Sequence, residues 1–170
     1  MKIELTKNKF AVIDDEDFEF ISKFNWSYSN GYARAVKYGD ERKKDGHLKQ
    51  IVFKMHRLVI NAPYGMDVDH KNGDKLDNKK SNLRVCSHSE NMNNQKKRTD
   101  NTSGYKGVAI LKYAYKNGKR YLRNKPWLSY ITNNKKREYL GYFLTAREAA
   151  ITYNKRAEEL HGEFANLNTI

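Results

Sequence analysis

The sequence predicts an α+β chain of two small units joined by a basic linker, and three observations carry that prediction. Short runs of alternating apolar and polar residues, punctuated by Asn-Gly and Asp-Gly, recur in both halves and mark small antiparallel sheets. Two helix starts stand out, Ser87 with Glu90 and Thr145 with Glu148, each setting a carboxylate three residues after a hydroxyl as in a capping box. Between them, residues 96–103 are basic, polar and aperiodic, which is the composition of a linker and places the units at 1–95 and 104–170.

Taken in order, residues 2–13 form two short strands around the turn Thr6-Lys7-Asn8-Lys9. An acidic helix start follows, capped by Asp14 or Asp15, with Phe18, Ile21 and Phe24 as its apolar face. Residues 26–36 are a hairpin through Asn30-Gly31, its aromatics bracing whatever site lies nearby. Residues 37–49 read as a polar basic loop turning at Asp45-Gly46, and 50–60 as an apolar strand or short helix. After Pro63 and Gly65 comes a hairpin whose second strand is Leu83-Arg84-Val85-Cys86, then a helix from Ser87 to about Gln95. In the second half, strands near 108–115, 127–132 and 137–143 precede a helix from Thr145. Ala146, Ala149, Ala150, Tyr153, Ala157 and Leu160 line one face of that helix, and Gly162 ends it.

The 170 residues carry a formal charge of +13. That charge is uneven: residues 1–24 hold four basic against six acidic side chains, whereas 96–137 hold thirteen against one. Basic residues interleaved with tyrosines suit a polyanionic duplex, and no basic amphipathic helix points to a membrane surface. The single cysteine, Cys86, excludes an internal disulfide and a four-cysteine zinc site, so no structural zinc is expected. With no membrane-length apolar run and no signal-like start, the expected location is the cytoplasm.

The chemistry concentrates in Asp69-His70-Lys71-Asn72-Gly73-Asp74, with Asn82 twelve residues after His70 and Asn91 nine further on. One imidazole can activate water, the adjacent carboxylate can hold a hard cation, and two amides complete the set that phosphodiester hydrolysis needs.

Those residues, with Asn-Leu-Arg at 82–84, resemble the motif of the HNH nucleases, the ββα-metal fold, at the spacing of phage and intron homing endonucleases. Met55-His56-Arg57-Leu58-Val59 resembles the element preceding that motif. The resemblance implies His70 as general base, Asn82 fixing the loop and the His70 ring, and Asp69 with Asn91 holding one divalent cation, magnesium or manganese. It also places Arg57 on DNA.

The second unit resembles the AP2 DNA-binding domain through Gly104-Tyr105-Lys106-Gly107-Val108, Trp127, the run 140–150 and the ending 162–168. That likeness implies a three-stranded antiparallel sheet packed on one helix. Its open face would present Tyr113, Tyr130, Thr132, Arg137 and Tyr139 to the major groove. Ala109 and Leu111 stand where that family has arginines, and the link to the next strand is longer, with Lys119 among its basic residues placed for phosphate. Together the likenesses imply a monomeric, site-specific homing endonuclease acting on double-stranded DNA, phage- or intron-encoded and working in a bacterial host cell. The alternative is a sequence-specific DNA-binding regulator with an inactive HNH module, against which stands the completeness of the site.

Overall fold

The computed structural model describes residues 1–95, 97, 99–133 and 136–170, so two residues of the expected linker, Lys96 and Arg98, lie outside the described residues. The chain divides into two compact units, Met1–Asn91 and Met92–Ile170.

The first unit opens with β1 (Lys2–Leu5) and β2 (Lys9–Val12), antiparallel, with Ile3 and Leu5 buried and Lys2 and Glu4 exposed. This is the period-two alternation of a half-buried strand. The expected helix from Asp14 shrinks to a 3₁₀ turn, Asp15–Asp17, and one α turn, α1 (Phe18–Ile21), with no side-chain cap at either start. The Asp14 carboxylate instead accepts the Lys80 backbone N–H at 2.7 Å, and only Ile21 of the apolar face is fully buried.

The hairpin β3 (Ser27–Ser29) and β4 (Tyr32–Arg42) turns at Asn30 and Gly31, whose φ values of 52° and 88° are the left-handed pair that a tight hairpin matched to strand twist requires. Residues 37–49, expected as a loop, are instead mostly strand, because β4 continues through them and pairs with β5 (Leu48–Lys54). The ribbon is buried only near its base, at Ala33 and Ala35. The segment 50–60 proves to be both of its alternatives in turn: β5 runs into α2 (Met55–Val59).

Strands β6 (Asp67–His70) and β7 (Leu83–Cys86) pair antiparallel, and α3 (His88–Asn93) follows, ending two residues before its expected end. Ser87 and Glu90 close the capping box: Ser87 N–H donates to Glu90 Oε2 at 2.8 Å, and Glu90 N–H donates to Ser87 Oγ at 3.3 Å. One core joins Ile3, Leu5 and Ile13 to Ile21, Trp26, Met55, Val68 and Leu83.

In the second unit, β8 (Val108–Ile110), β11 (Trp127–Asn133) and β12 (Lys136–Phe143) make an antiparallel sheet in the order β12-β11-β8. The strand expected over 108–115 divides at Leu111 and Lys112. Its second part, β9 (Tyr113–Lys116), leaves the sheet to pair with β10 (Lys119–Leu122) through a left-handed Asn117-Gly118 turn. Tyr113 therefore lies on this separate hairpin and not on the sheet. Helix α4 (Ala146–His161) carries the complete Thr145–Glu148 capping box and buries Ala149, Ala150, Tyr153 and Ala157 against the sheet. No described helix is long and apolar enough to cross a membrane.

Gly107 sits where α4 meets the sheet, at φ 71°, and a Cβ there would overlap the Tyr153 ring and approach the Tyr130 carbonyl oxygen to 2.6 Å. Backbone strain and a clash with a buried ring act in the same direction. Gly107→Ala is expected to destabilise the protein by roughly 2 kcal/mol or more, measured as a lowered urea midpoint; an unchanged midpoint would show that the helix–sheet junction has slack.

Candidate active site

Strand alternation sorts the motif. Asp67 and Asp69 share one face of β6, and His70 points to the other. On the first face Asp69, opposite Arg84 in the register, accepts from Arg84 Nε at 2.9 Å and Nη2 at 2.7 Å, with only 7% and 11% of the two side chains exposed. Asp67 accepts from the Asn91 amide Nδ2 at 3.1 Å and faces His88 Nδ1 at 2.9 Å. The Asn91 bond, then the His88 bond, holds the Asp67 carboxyl below the usual range.

On the other face the His70 ring is buried. Its Nε2 lies 3.1 Å from Asn78 Oδ1, and its ring centre is 5.2 Å from that of His56 and 6.3 Å from that of Tyr32. Tyr32 follows the Asn30-Gly31 turn, so the hairpin supplies one wall of the imidazole site, and Lys75 Nζ stands 4.5 Å above the same tyrosine ring. Burial lowers the His70 pKa, opposed by the Asn78 bond and by Asp69, Asp74 and Asp77. A group so placed is neutral near pH 7 and able to take a proton.

The Asn82 side chain holds the loop between the strands: its Oδ1 accepts from Asn72 N–H at 3.1 Å and its Nδ2 donates to the Asp77 carbonyl at 2.7 Å. The ring contact expected of Asn82 is made by Asn78, which the sequence reading missed. Arg57, expected on DNA, donates to the carbonyls of Ala62, Pro63 and Met66 and so pins the turn entering β6. Asp67, Arg84 and His88 were also missed, although the i, i+2 spacing of Asp67 to Asp69 was a usable signal.

On this face of β6 stand two carboxylates, Asp67 and Asp69, with the Asn91 amide bonded to Asp67 and not to Asp69 in any described contact, and oxygen donors of these kinds suit a hard divalent cation. Among the described residues no group of three or more His, Cys, Asp or Glu side chains forms a metal cluster, so an amide or water must complete any such site. Cys86 is buried and free, its thiol pushed up to about 11 by burial first and then by neighbouring carboxylates.

In the second unit, β11–β12 pairing sets the faces. Ile131 pairs with Glu138, whose carboxylate binds Arg156 of α4 at 2.9 Å, so this pair marks the helix side. Tyr130↔Tyr139 and Thr132↔Arg137 therefore lie on the opposite, open side, where Arg137 stacks 4.4 Å from the Tyr130 ring. Lys119 is exposed on the β9–β10 hairpin, next to Arg120, which stacks on Tyr113.

Residues 53–93 match a family model described as HNH endonuclease. A curated protein of Acanthamoeba polyphaga mimivirus, named as an uncharacterized HNH endonuclease, is 29% identical over 167 residues, covering 96% of this chain and 77% of its own length. No solved structure matches. The matched stretch runs from the end of β5 through α3 and contains Asp69, His70, Asn82 and Asn91. The chain thus carries an HNH endonuclease domain and is a nuclease-class enzyme.

His56 links this site to stability. Burial first, and then His70, lowers its pKa from 6.5 to about 3. Between those values the unfolded chain binds a proton that the folded protein does not, so stability is full above about pH 6.5 and is lost as pH falls toward 3. Urea midpoints at pH 7 and pH 5 should therefore diverge less in His56→Phe than in the parent protein. Equal divergence would mean that His56 titrates normally in the fold.

Proposed function

We propose that this chain is a metal-dependent, site-specific endonuclease of the homing type acting on double-stranded DNA. In this reading the HNH domain cuts, and an AP2-like sheet in the second unit grips the target. The observation that supports it most is the buried His70, flanked on β6 by Asp69 and walled by Tyr32 and His56, inside the stretch that matches the nuclease family.

His70 takes the proton from the attacking water, and its burial keeps it unprotonated at neutral pH. Asn82 keeps the loop after His70 in one shape, so the base stays aimed at one point. Asp69 and Asn91 would hold magnesium or manganese, with Arg84 fixing the Asp69 carboxylate from the neighbouring strand. A bound divalent cation would neutralise the charge that builds on the phosphate and the leaving oxygen.

The open face of the sheet, with Tyr130, Thr132, Arg137 and Tyr139, offers donors and aromatic edges on strands of a kind that the major groove admits. The basic hairpin carrying Lys119 and Tyr113 meets the phosphates beside it. From Asn101 to Arg137 the chain has no acidic residue, which favours contact with a polyanion throughout this segment. In this reading the protein acts as a monomer within a bacterial host cell, encoded by a phage or an intron.

Two results follow. His70→Ala should lower nicking of plasmid DNA in magnesium by several orders of magnitude while DNA affinity stays nearly constant, since a general base acts in the transition state. EDTA should abolish the activity. Full activity in EDTA would remove the metal from the reading, and parallel loss of binding and cleavage would remove the base. In competition titrations at two salt concentrations, Arg137→Ala should relax sequence preference by about 1–3 kcal/mol, whereas Lys119→Ala should weaken specific and random duplexes alike. Unchanged binding by both variants would take DNA off the sheet unit.

A further inference from the structure

The geometry points to Asn78 as the positioning residue of the imidazole: its carboxamide fixes the proton of neutral His70 on Nε2 and leaves the lone pair on Nδ1 to act as the base. This rests on the reading of His70 as general base, but the assignment of the proton stands on hydrogen bonding alone. Asn78 is fully buried, with no exposed surface. One end of its carboxamide lies 3.2 Å from the Leu76 carbonyl oxygen and 3.5 Å from Met55 Sδ. A carbonyl oxygen only accepts, so the atom facing it must be the amide nitrogen, and Oδ1 is thereby turned toward His70 Nε2 at 3.1 Å. Oδ1 has no proton to give. The imidazole nitrogen facing it therefore carries the hydrogen, and the neutral ring keeps its lone pair on Nδ1.

The carboxamide cannot easily turn over. Asn78 N–H donates to the Val12 carbonyl at 2.7 Å and Val12 N–H to the Leu76 carbonyl at 2.8 Å, so β2 holds the backbone on both sides of it. Flipping the amide would set Oδ1 against the Leu76 carbonyl, losing that buried bond and putting two acceptors face to face. The hairpin at the start of the chain thus reaches the imidazole through one buried side chain.

The test uses the full-length protein with 15N-labelled histidine. Long-range proton–nitrogen spectra of the unmodified protein should show His70 as the Nε2–H tautomer. Asn78→Leu, of similar bulk but with no acceptor, should lose that preference. Its nicking rate constant on supercoiled plasmid in magnesium or manganese should fall roughly 100-fold with DNA affinity unchanged, the scale of a misplaced catalytic group. Asn78→Asp keeps an acceptor toward His70 Nε2 and should restore that proton position, with a lowered urea midpoint because its second oxygen faces the Leu76 carbonyl.

An Nδ1–H tautomer in the unmodified protein overturns the proposal, and so does a folded Asn78→Leu whose His70 tautomer is unchanged. If Asn78→Leu does not fold, the spectrum of the unmodified protein decides on its own. Full nicking by His70→Ala would instead refute the general base and leave the tautomer assignment standing, so the two failures are distinguishable.

Discussion

The N-terminal unit depends on holding a polar, mostly exposed loop rigid against an apolar core. Between β6 and β7 residues 71–82 form a segment rich in Asn, Asp and Lys whose one apolar residue, Leu76, packs on the core. What holds it is a set of backbone and side-chain bonds made to distant chain. Asn78 is bonded to Val12, the Lys80 N–H to Asp14, and the Lys80 ammonium to Glu16 and Asp17, while Asn82 ties both ends of the loop together. A buried donor or acceptor left without its partner costs about 1–3 kcal/mol, so the bonds of Asn78 and Asn82 stabilise chiefly by meeting their buried amides, while Asp17 Oδ2 and Asp77 Oδ1 stay buried without a hydrogen-bond partner among the described residues. The acidic turn at residues 14–17 is therefore better understood as a clamp on this loop than as a helix start.

The same unit separates its charges by strand face. Asp69 is buried, and its negative charge is tolerable there because Arg84 meets it with two nitrogens from the adjacent strand. Such a pair adds little net stability, but removing one partner strands the other, which makes the position intolerant of change. Asp67, nearer the surface, is matched by neutral or titratable groups, Asn91 and His88. Two carboxylates two residues apart thus differ in kind: one is neutralised by a fixed cation, and the other keeps its charge beside the amide of α3. His70, on the far face, lives among rings and still feels the Asp69 charge across the strand.

Much of this was legible, and the limits have identifiable causes. The Asn30-Gly31 hairpin, both capping boxes, the strand pair around the motif and the face of α4 follow from local chemistry, and each forms as local chemistry requires. The β9–β10 hairpin was legible too, since Asn117-Gly118 is the same turn signal; the overlooked consequence was that Tyr113 leaves the sheet with it. The short α1, the bracing of Asn78 by Val12 and the contacts of Arg57 were not legible. The first two arise from pairings 66 residues apart, where the partner is chosen by tertiary position, whereas Arg57 bonds backbone carbonyls five, six and nine residues on, which no side-chain pattern marks. In the site itself, His70 and Asp69 announce themselves by type and adjacency. Asn78, by contrast, is one of several asparagines in a polar run, distinguished only by being buried.

In the second unit, a single residue decides which side chains face outward. Along β11–β12 the register moves from Ser129↔Gly141 to Tyr130↔Tyr139, so Leu140 is an extra residue on β12. Without it, alternation counted back from Phe143, which packs toward α4, would turn Tyr139 and Arg137 to the helix side and Glu138 outward. The bulge reverses that assignment for the distal half of the strand alone. Glu138 can then reach Arg156 of α4, while Arg137 stacks over Tyr130 on the open side. Because Gly141 directly precedes Phe143 on the helix side and adopts φ 124°, the irregularity is housed where a backbone conformation rare for other residues is available. The basic and aromatic character of the open face is thus a consequence of strand register, and shifting that register by one residue would bury its arginine and expose the acid.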